Sequence, residues 1–145
     1  MRNKSLSYAL VTIQFGALLV LALTGPILAS GFWLVVEGAA LLLGLWAILA
    51  MRIGNFNITP QPKEGAQLIA IAPYRWIRHP MYLSLIVGGA ALVANSFSWV
   101  RLFIWIVLTL DLLFKLNFEE RLLIHHFIGY EQLRHRSWRL IPFVY

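Results

Sequence analysis

The sequence predicts an all-α integral membrane protein: a helical bundle of about four transmembrane helices with a cytosolic C-terminal helical segment. Apolar residues make up 60% of the 145 residues and charged residues only 12%, whereas a typical soluble chain has about 25% charged residues. The apolar residues are gathered into four stretches close to the length that crosses a lipid core. The basic residues lie almost entirely on one side of these stretches. The predicted spans are residues 6–29, 32–51, 80–95 and 99–118.

The first two spans are separated by a short turn. Residues 6–29 contain no charge and are longer than a signal-peptide core of about 7–15 residues, so we expect a retained helix. Gly25-Pro26 should kink or end that helix, because proline lacks a backbone N–H. The second span, 32–51, carries Glu37 near its start. This acid either meets water at the far membrane face or is a functional intramembrane group.

The remaining two spans form a hairpin behind a polar loop. Residues 52–65 contain two prolines, two glycines and three charges, which is typical of a loop. Pro80 suits the first position of a helix and opens the third span. The turn at 95–98 leads into the fourth span, so the start of the third and the end of the fourth lie at one membrane face. With the basic tail, residues 1–145 are interpreted as a single domain.

The distribution of the basic residues predicts how the chain is oriented in the membrane. Ten of the twelve lie on the side that holds both termini, the 52–79 loop and the tail, and the positive-inside rule makes that side cytoplasmic. We therefore attribute the net charge of +6 to the orientation of the chain in the membrane and to contact with anionic lipid head groups. No nucleic-acid partner is expected. The ten are Arg2, Lys4, Arg52, Lys63, Arg75, Arg78, Arg121, Arg134, Arg136 and Arg139.

The first polar cluster at this face is Arg78-His79, immediately before Pro80. The free N–H groups and the dipole of a helix N-terminus attract anions. The cluster therefore either binds a carboxylate or phosphate of a ligand, or anchors the chain on lipid phosphates.

The second polar cluster is Glu119-Glu120 at the end of the fourth span. Neighbouring residues point about 100° apart on a helix, so the two glutamates should have different partners. Asp111, Lys115 and Glu119 follow at i, i+4 and i+8 and share one helix face. Asp111 and Lys115 form either a structural salt bridge or a functional polar pair; their spacing leaves both open.

Several kinds of site are not expected. The chain has no cysteine, and adjacent His125 and His126 cannot face one point on a helix, so no metal site is predicted. There is no serine nucleophile with a paired base and no glycine-rich phosphate loop. The residues alone predict a polar ligand between an anion site and a carboxylate site, with an apolar substrate entering from lipid.

Two blocks of residues resemble a known family. Residues 73–82 (PYRWIRHPMY) resemble the signature of the isoprenylcysteine carboxyl methyltransferase and phospholipid methyltransferase group. Residues 119–142 resemble that group's C-terminal half, and residues 57–65 resemble the approach loop of its short bacterial members. The resemblance covers about residues 52–145. Ala72 stands where the family usually has glycine, and Leu133 where a tyrosine is common.

The resemblance implies S-adenosylmethionine-dependent methyl transfer, with S-adenosylhomocysteine as product, at the cytosolic face of what is expected to be a bacterial inner membrane. The acceptor would be lipophilic: the carboxylate of an isoprenylcysteine-like compound, or a lipid head group. By carry-over, segments 73–82 and 117–142 enclose the cofactor. Arg78 and Glu120 are the predicted catalytic residues, with Glu120 as base if the acceptor is an amine. The predicted cofactor contacts are Tyr74, His79, Pro80, Tyr82, Glu119, Glu120, Tyr130, Arg134 and Arg139.

Two other functions stay open at this point. One is a membrane reductase of the related sterol-reductase type, which uses NADPH. The other is a small non-catalytic membrane scaffold, for which Leu133 is the main support. The sequence names neither the methyl acceptor nor the oligomeric state.

Overall fold

The computed structural model describes residues 4–55, 65 and 67–145 of the chain, and side chains in 5–51, 65 and 67–145. This part of the chain forms five helices and no β-strand, which confirms the predicted all-helical class. The helices are α1 (Lys4–Leu23), α2 (Gly31–Asn55), α3 (Pro80–Asn95), α4 (Trp99–His126) and α5 (Tyr130–Arg136).

Two of these helices are long and apolar enough to cross a membrane, over Ser5–Leu23 and Gly31–Met51. Helix α3 is apolar but shorter, and α4 carries buried charged residues within its first 17 positions. Outward-facing Leu41, Leu42 and Leu49 of α2 are exposed, a surface suited to lipid, whose tails are as apolar as leucine. Membrane spans at α3 and α4 stay predictions.

Two helix ends differ from the predicted spans. Helix α1 ends at Leu23, six residues before the predicted boundary at 29. The chain turns there because Pro26 disfavours helical geometry at Gly25, and the Thr24 hydroxyl donates to the Val20 carbonyl at 2.7 Å. Helix α4 continues past residue 118 to His126. The two glutamates at 119 and 120 therefore lie on the same rigid helix as the fourth predicted span.

The helices pack as two pairs. Helix α3 packs mainly on α2, α4 packs mainly on α1, and a smaller α3–α4 contact joins the pairs. A core cluster along this seam includes Leu21 of α1, Val93 of α3 and Leu108 and Leu112 of α4. This packing carries the start of α3 and the end of α4 to the same end of the bundle.

The opposite end of the bundle buries two charged side chains. The Glu37 carboxylate is buried and accepts a hydrogen bond of 2.7 Å from the Ala29 backbone N–H. It therefore closes the turn between α1 and α2, and the interpretation as a carboxylate reached by water is wrong. The Arg101 guanidinium is also buried and donates to the Leu92 carbonyl at 3.1 Å. It lies against the backbone of Gly25.

Replacing Gly25 with alanine is expected to destabilise the fold by about 1–3 kcal/mol. An added Cβ would lie 1.6 Å from Nη1 of Arg101, so the buried guanidinium would have to move and lose its bond to Leu92. Gly16→Ala is the matched control, because a Cβ there meets nothing within 4 Å and alanine favours helix. Thermal unfolding in detergent compares the two; equal melting temperatures would contradict the packing at Gly25.

Candidate active site where the two polar segments meet

Backbone hydrogen bonds hold the two predicted cofactor-site segments side by side. The Arg78 N–H donates to the Trp138 carbonyl at 2.8 Å, and the Trp138 N–H donates to the Trp76 carbonyl at 2.9 Å. The His79 N–H donates to the Arg139 carbonyl at 3.1 Å. We call the side chains gathered beside this contact the junction cluster: Tyr74, Arg78, His79, Tyr82, Glu119, Glu120, Tyr130, Ser137 and Arg139.

Glu120 is the centre of the junction cluster. Its Oε1 accepts from Nε of Arg78 at 2.7 Å, and its Oε2 lies 3.1 Å from Nε of Arg139. Nε2 of His79 is 3.5 Å from Oε1. The residue is only 3% exposed. One carboxylate on α4 therefore ties both polar segments together.

The charges around Glu120 change its acidity. Burial acts to raise the pKa of this carboxyl group, because it penalises the charged form. The contacts that Glu120 makes with His79 and Arg78 outweigh burial and lower the pKa to about 2. Glu120 is therefore a fully charged, weakly basic carboxylate at neutral pH.

Glu119 has a hydrogen-bond partner of its own, as the 100° separation predicts, although both glutamates also lie close to His79. Its Oε2 accepts from the Tyr82 hydroxyl at 2.7 Å and lies 3.7 Å from Nδ1 of His79. The His79 ring stacks on the Tyr82 ring, with centroids 5.4 Å apart and an angle of 5° between the planes. Because its side chain is 24% exposed, Glu119 is the more accessible of the two glutamates.

Arg78 also contacts the C-terminal segment, through the guanidinium nitrogen Nη1. Nη1 donates to the carbonyls of Arg134, at 3.1 Å, and of Ser137, and its distance to the Ser137 hydroxyl is 3.3 Å. Ser137 was not predicted from the sequence. No local pattern marks it, because its contact with Arg78 arises only when the segments meet.

Two tyrosines of the cluster are buried in different ways. The Tyr74 hydroxyl donates to the Ala47 carbonyl of α2 at 3.3 Å, so this residue anchors the loop before α3. The Tyr130 hydroxyl is buried and has no hydrogen-bond partner among the described residues. Burial, followed by the charge of Glu119 for Tyr74 and of Glu120 for Tyr130, raises the pKa of both phenols. Both are neutral donors at physiological pH.

The sequence predicts an anion site and a carboxylate site that face each other across a ligand. In the structure Arg78 and Glu120 touch directly, so a ligand cannot lie between them while this pair is intact. Polar groups remain beside the pair: among the described residues the buried Tyr130 hydroxyl has no hydrogen-bond partner, Nε2 of His79 lies 3.5 Å from Glu120 without forming a hydrogen bond, and Glu119 is partly open. A polar ligand with donors and acceptors fits these groups.

A sequence model of the isoprenylcysteine carboxyl methyltransferase (ICMT) family matches residues 31–125, about two thirds of the chain. The chain belongs to this family. Membership identifies it as a membrane methyltransferase. Searches against curated proteins and against solved structures found no significant match. The match includes α2, α3, nearly all of α4 and most of the junction cluster, and it leaves α1 and the C-terminal segment outside.

Other predicted positions within this ICMT-family chain are placed as follows. Pro80 is buried at the start of α3. The Arg139 guanidinium pairs with Glu120 and also donates to the Tyr145 hydroxyl at 2.8 Å. The Arg134 guanidinium instead pairs with exposed Glu131 at 3.3 Å, so only its carbonyl reaches the cluster. Within the described residues no group of three or more His, Asp or Glu side chains could hold a metal ion.

The two departures from the family pattern cause no visible distortion. Among the described non-glycine residues only Phe143 has a positive φ, so the backbone at Ala72 does not require glycine. Leu133 lies in α5 and is half-buried; its carbonyl accepts from the Ser137 hydroxyl. The predicted approach loop, residues 57–65, lies outside the described residues except for Gly65.

Proposed function

We propose that this ICMT-family protein transfers a methyl group from S-adenosylmethionine to a lipophilic acceptor at the cytosolic membrane face. The observation that carries the proposal is the junction cluster, a charged and largely buried site at the end of the apolar helices α3 and α4. Such a site can hold a polar cofactor while an apolar acceptor arrives from lipid.

The residues of the cluster fit S-adenosylmethionine. Its carboxylate and hydroxyls match the Tyr130 hydroxyl, which has no hydrogen-bond partner among the described residues, and Nε2 of His79, which forms no hydrogen bond with them. Its ribose hydroxyls or ammonium match Glu119, whose side chain is partly exposed. When bound, the cofactor supplies a methyl group on a sulfonium. The protein contributes placement, electrostatic stabilisation and exclusion of water.

The acidity of Glu120 bears on the acceptor. Nucleophilic attack by an amine requires removal of a proton by a base with a pKa near the working pH. A carboxylate whose pKa is about 2 and which pairs with two guanidinium groups is poorly suited to that role. This argues against Glu120 as a base; a carboxylate acceptor would need no base and only alignment. Glu120 and Arg78 would then hold the two polar segments together and contribute to the electrostatic potential of the site.

The proposed topology follows from charge. Arg75, Arg121 and Arg136 are all exposed and each is directly adjacent in the chain to a residue of the junction cluster, and the positive-inside rule assigns this end to the cytoplasm. With α3 and α4 as further spans, both termini would be cytoplasmic in a bacterial inner membrane. The basic side chains of α5 would contact anionic head groups, so the partners are membrane lipids and the lipophilic substrate, with no nucleic acid.

Calorimetry of the purified, folded protein with S-adenosylhomocysteine tests the proposal. We expect saturable binding that NADPH does not displace. Absence of binding to wild-type protein would overturn the proposal, and displacement by NADPH would favour the reductase. Incubating labelled S-adenosylmethionine with lipid extract then identifies the acceptor: base-labile product indicates a methyl ester, and base-stable product an amine. Binding without any labelled product would favour the non-catalytic scaffold.

A further inference from the structure

Helix α1 makes a buried polar contact with α4. Gln14 is 8% exposed and Lys115 is 2% exposed, and the Lys115 ammonium donates to the Gln14 side-chain oxygen at 2.7 Å. Burying an ammonium group is costly unless it is hydrogen-bonded. Gln14 therefore holds a specific atom of α4 and does more than fill space.

From Lys115 the contacts continue into the junction cluster. Nζ of Lys115 lies 5.5 Å from the centre of the Tyr82 ring, within the range of a cation–π interaction. The Tyr82 hydroxyl donates to Glu119, and its ring stacks on His79. The position of the Lys115 ammonium therefore affects the Tyr82 ring. That ring in turn orients Glu119 and His79.

The ammonium has another possible partner. Asp111 lies one helical turn before Lys115, the spacing that favours an acid–base pair. Yet within the part of the chain that the structure describes, both buried Asp111 carboxylate oxygens lack a hydrogen-bond partner, and Asp111 and Lys115 form no ion pair within 4.0 Å. The side chain of Lys115 is therefore directed to Gln14 and Tyr82, although an acid lies nearby on its own helix.

We infer that α1 is part of the methyltransferase site and that Gln14 is a positioning residue. By holding Lys115 over Tyr82, Gln14 keeps the Tyr82 hydroxyl on Glu119. The inference rests on the proposed function, and it extends the site to α1, which precedes the region matched by the family, residues 31–125. Without the Gln14 oxygen, the ammonium would turn towards Asp111 and leave the tyrosine ring.

A double-mutant cycle on the full-length protein tests this, with S-adenosylhomocysteine affinity as the readout. We expect Gln14→Leu and Lys115→Met each to weaken binding about threefold to tenfold. The double variant should bind no more weakly than Lys115→Met alone, because Gln14 acts only through Lys115. Gln14→Glu retains an acceptor for the ammonium and should bind like wild type.

Thr12→Val is the matched control on α1, because the exposed Thr12 hydroxyl bonds only to the Tyr8 carbonyl of its own helix; its affinity should equal that of wild type. If Gln14→Leu does not fold, Gln14→Asn, which is too short to reach Lys115, takes its place. Additive losses, or full affinity in Gln14→Leu, would overturn the role of Gln14 while leaving the proposed function intact. Failure of wild-type protein to bind would overturn the proposed function itself.

Discussion

Replacing Glu120 with glutamine is expected to weaken S-adenosylhomocysteine binding by at least about 100-fold, or about 2.8 kcal/mol. The amide keeps the shape of the side chain but loses the charge that pairs with Arg78 and Arg139. Breaking a buried ion pair costs about 3–5 kcal/mol, because it leaves an uncompensated charge. We expect the loss of folding free energy in Glu120→Gln to lie near the lower end of this range, because the Arg139 side chain is partly exposed.

The matched control is Glu131→Gln. Glu131 also pairs with an arginine, Arg134, but its side chain is 67% exposed, and exposed pairs contribute about 0–1 kcal/mol. Its affinity for S-adenosylhomocysteine should equal that of wild type. His79→Ala leaves both arginine pairs of Glu120 in place and should lose binding with a smaller loss of stability. Wild-type affinity in both Glu120→Gln and His79→Ala would exclude the junction cluster as the cofactor site.

The second large effect is a loss of stability in acid. The pKa of Glu120 falls from 4.5, its ordinary value, to about 2 in the folded protein. The folded state therefore binds this proton less readily than the unfolded state does. The stabilisation of the fold by the ionised Glu120 carboxylate is fully present above pH 4.5 and is lost as the pH falls through about 2. This difference between the two pKa values corresponds to a contribution of roughly 3 kcal/mol to the free energy of unfolding.

Tryptophan fluorescence during urea unfolding in detergent, repeated across this pH range, measures the effect. Trp76 and Trp138 flank the junction cluster and make the signal sensitive to this part of the chain. We expect the unfolding midpoint of wild type to fall steeply between pH 4.5 and 2, and that of Glu120→Gln to fall less over the same range. Parallel curves for the two proteins would show that Glu120 does not carry the acid dependence.

The location of the candidate site could be predicted because its signals are local. Arg78 and His79 immediately precede a helix-opening proline, and Glu119 and Glu120 follow an apolar stretch. A hairpin of two helices returns these positions to one end. The bounds of α3 agree with the predicted 80–95 because Pro80 marks one end and the turn at Asn95 the other.

The partners within the site could not be predicted. The i, i+4 spacing suggested an Asp111–Lys115 pair, but the ammonium bonds to Gln14, a residue about 100 positions away in the chain. The available signal for this contact was the amide side chain of Gln14 in the largely apolar middle of α1. Arg78 and Glu120 were expected to face each other across a ligand, and they form a direct ion pair instead. Such distances depend on how closely helices pack, which spacing along the chain does not encode.

By itself, the sequence determined the helical class, the apolar character of the chain, the family block at 73–82 and the clustering of charges at one end. These follow from hydropathy, proline placement and charge, which act over a few neighbouring residues. Only the tertiary structure decided that Glu120 bridges Arg78 and Arg139, that the buried Tyr130 hydroxyl has no hydrogen-bond partner among the described residues, and that α1 contacts the site through Gln14. The physical reason is that a buried polar group takes whichever partner the packed helices bring within hydrogen-bonding distance.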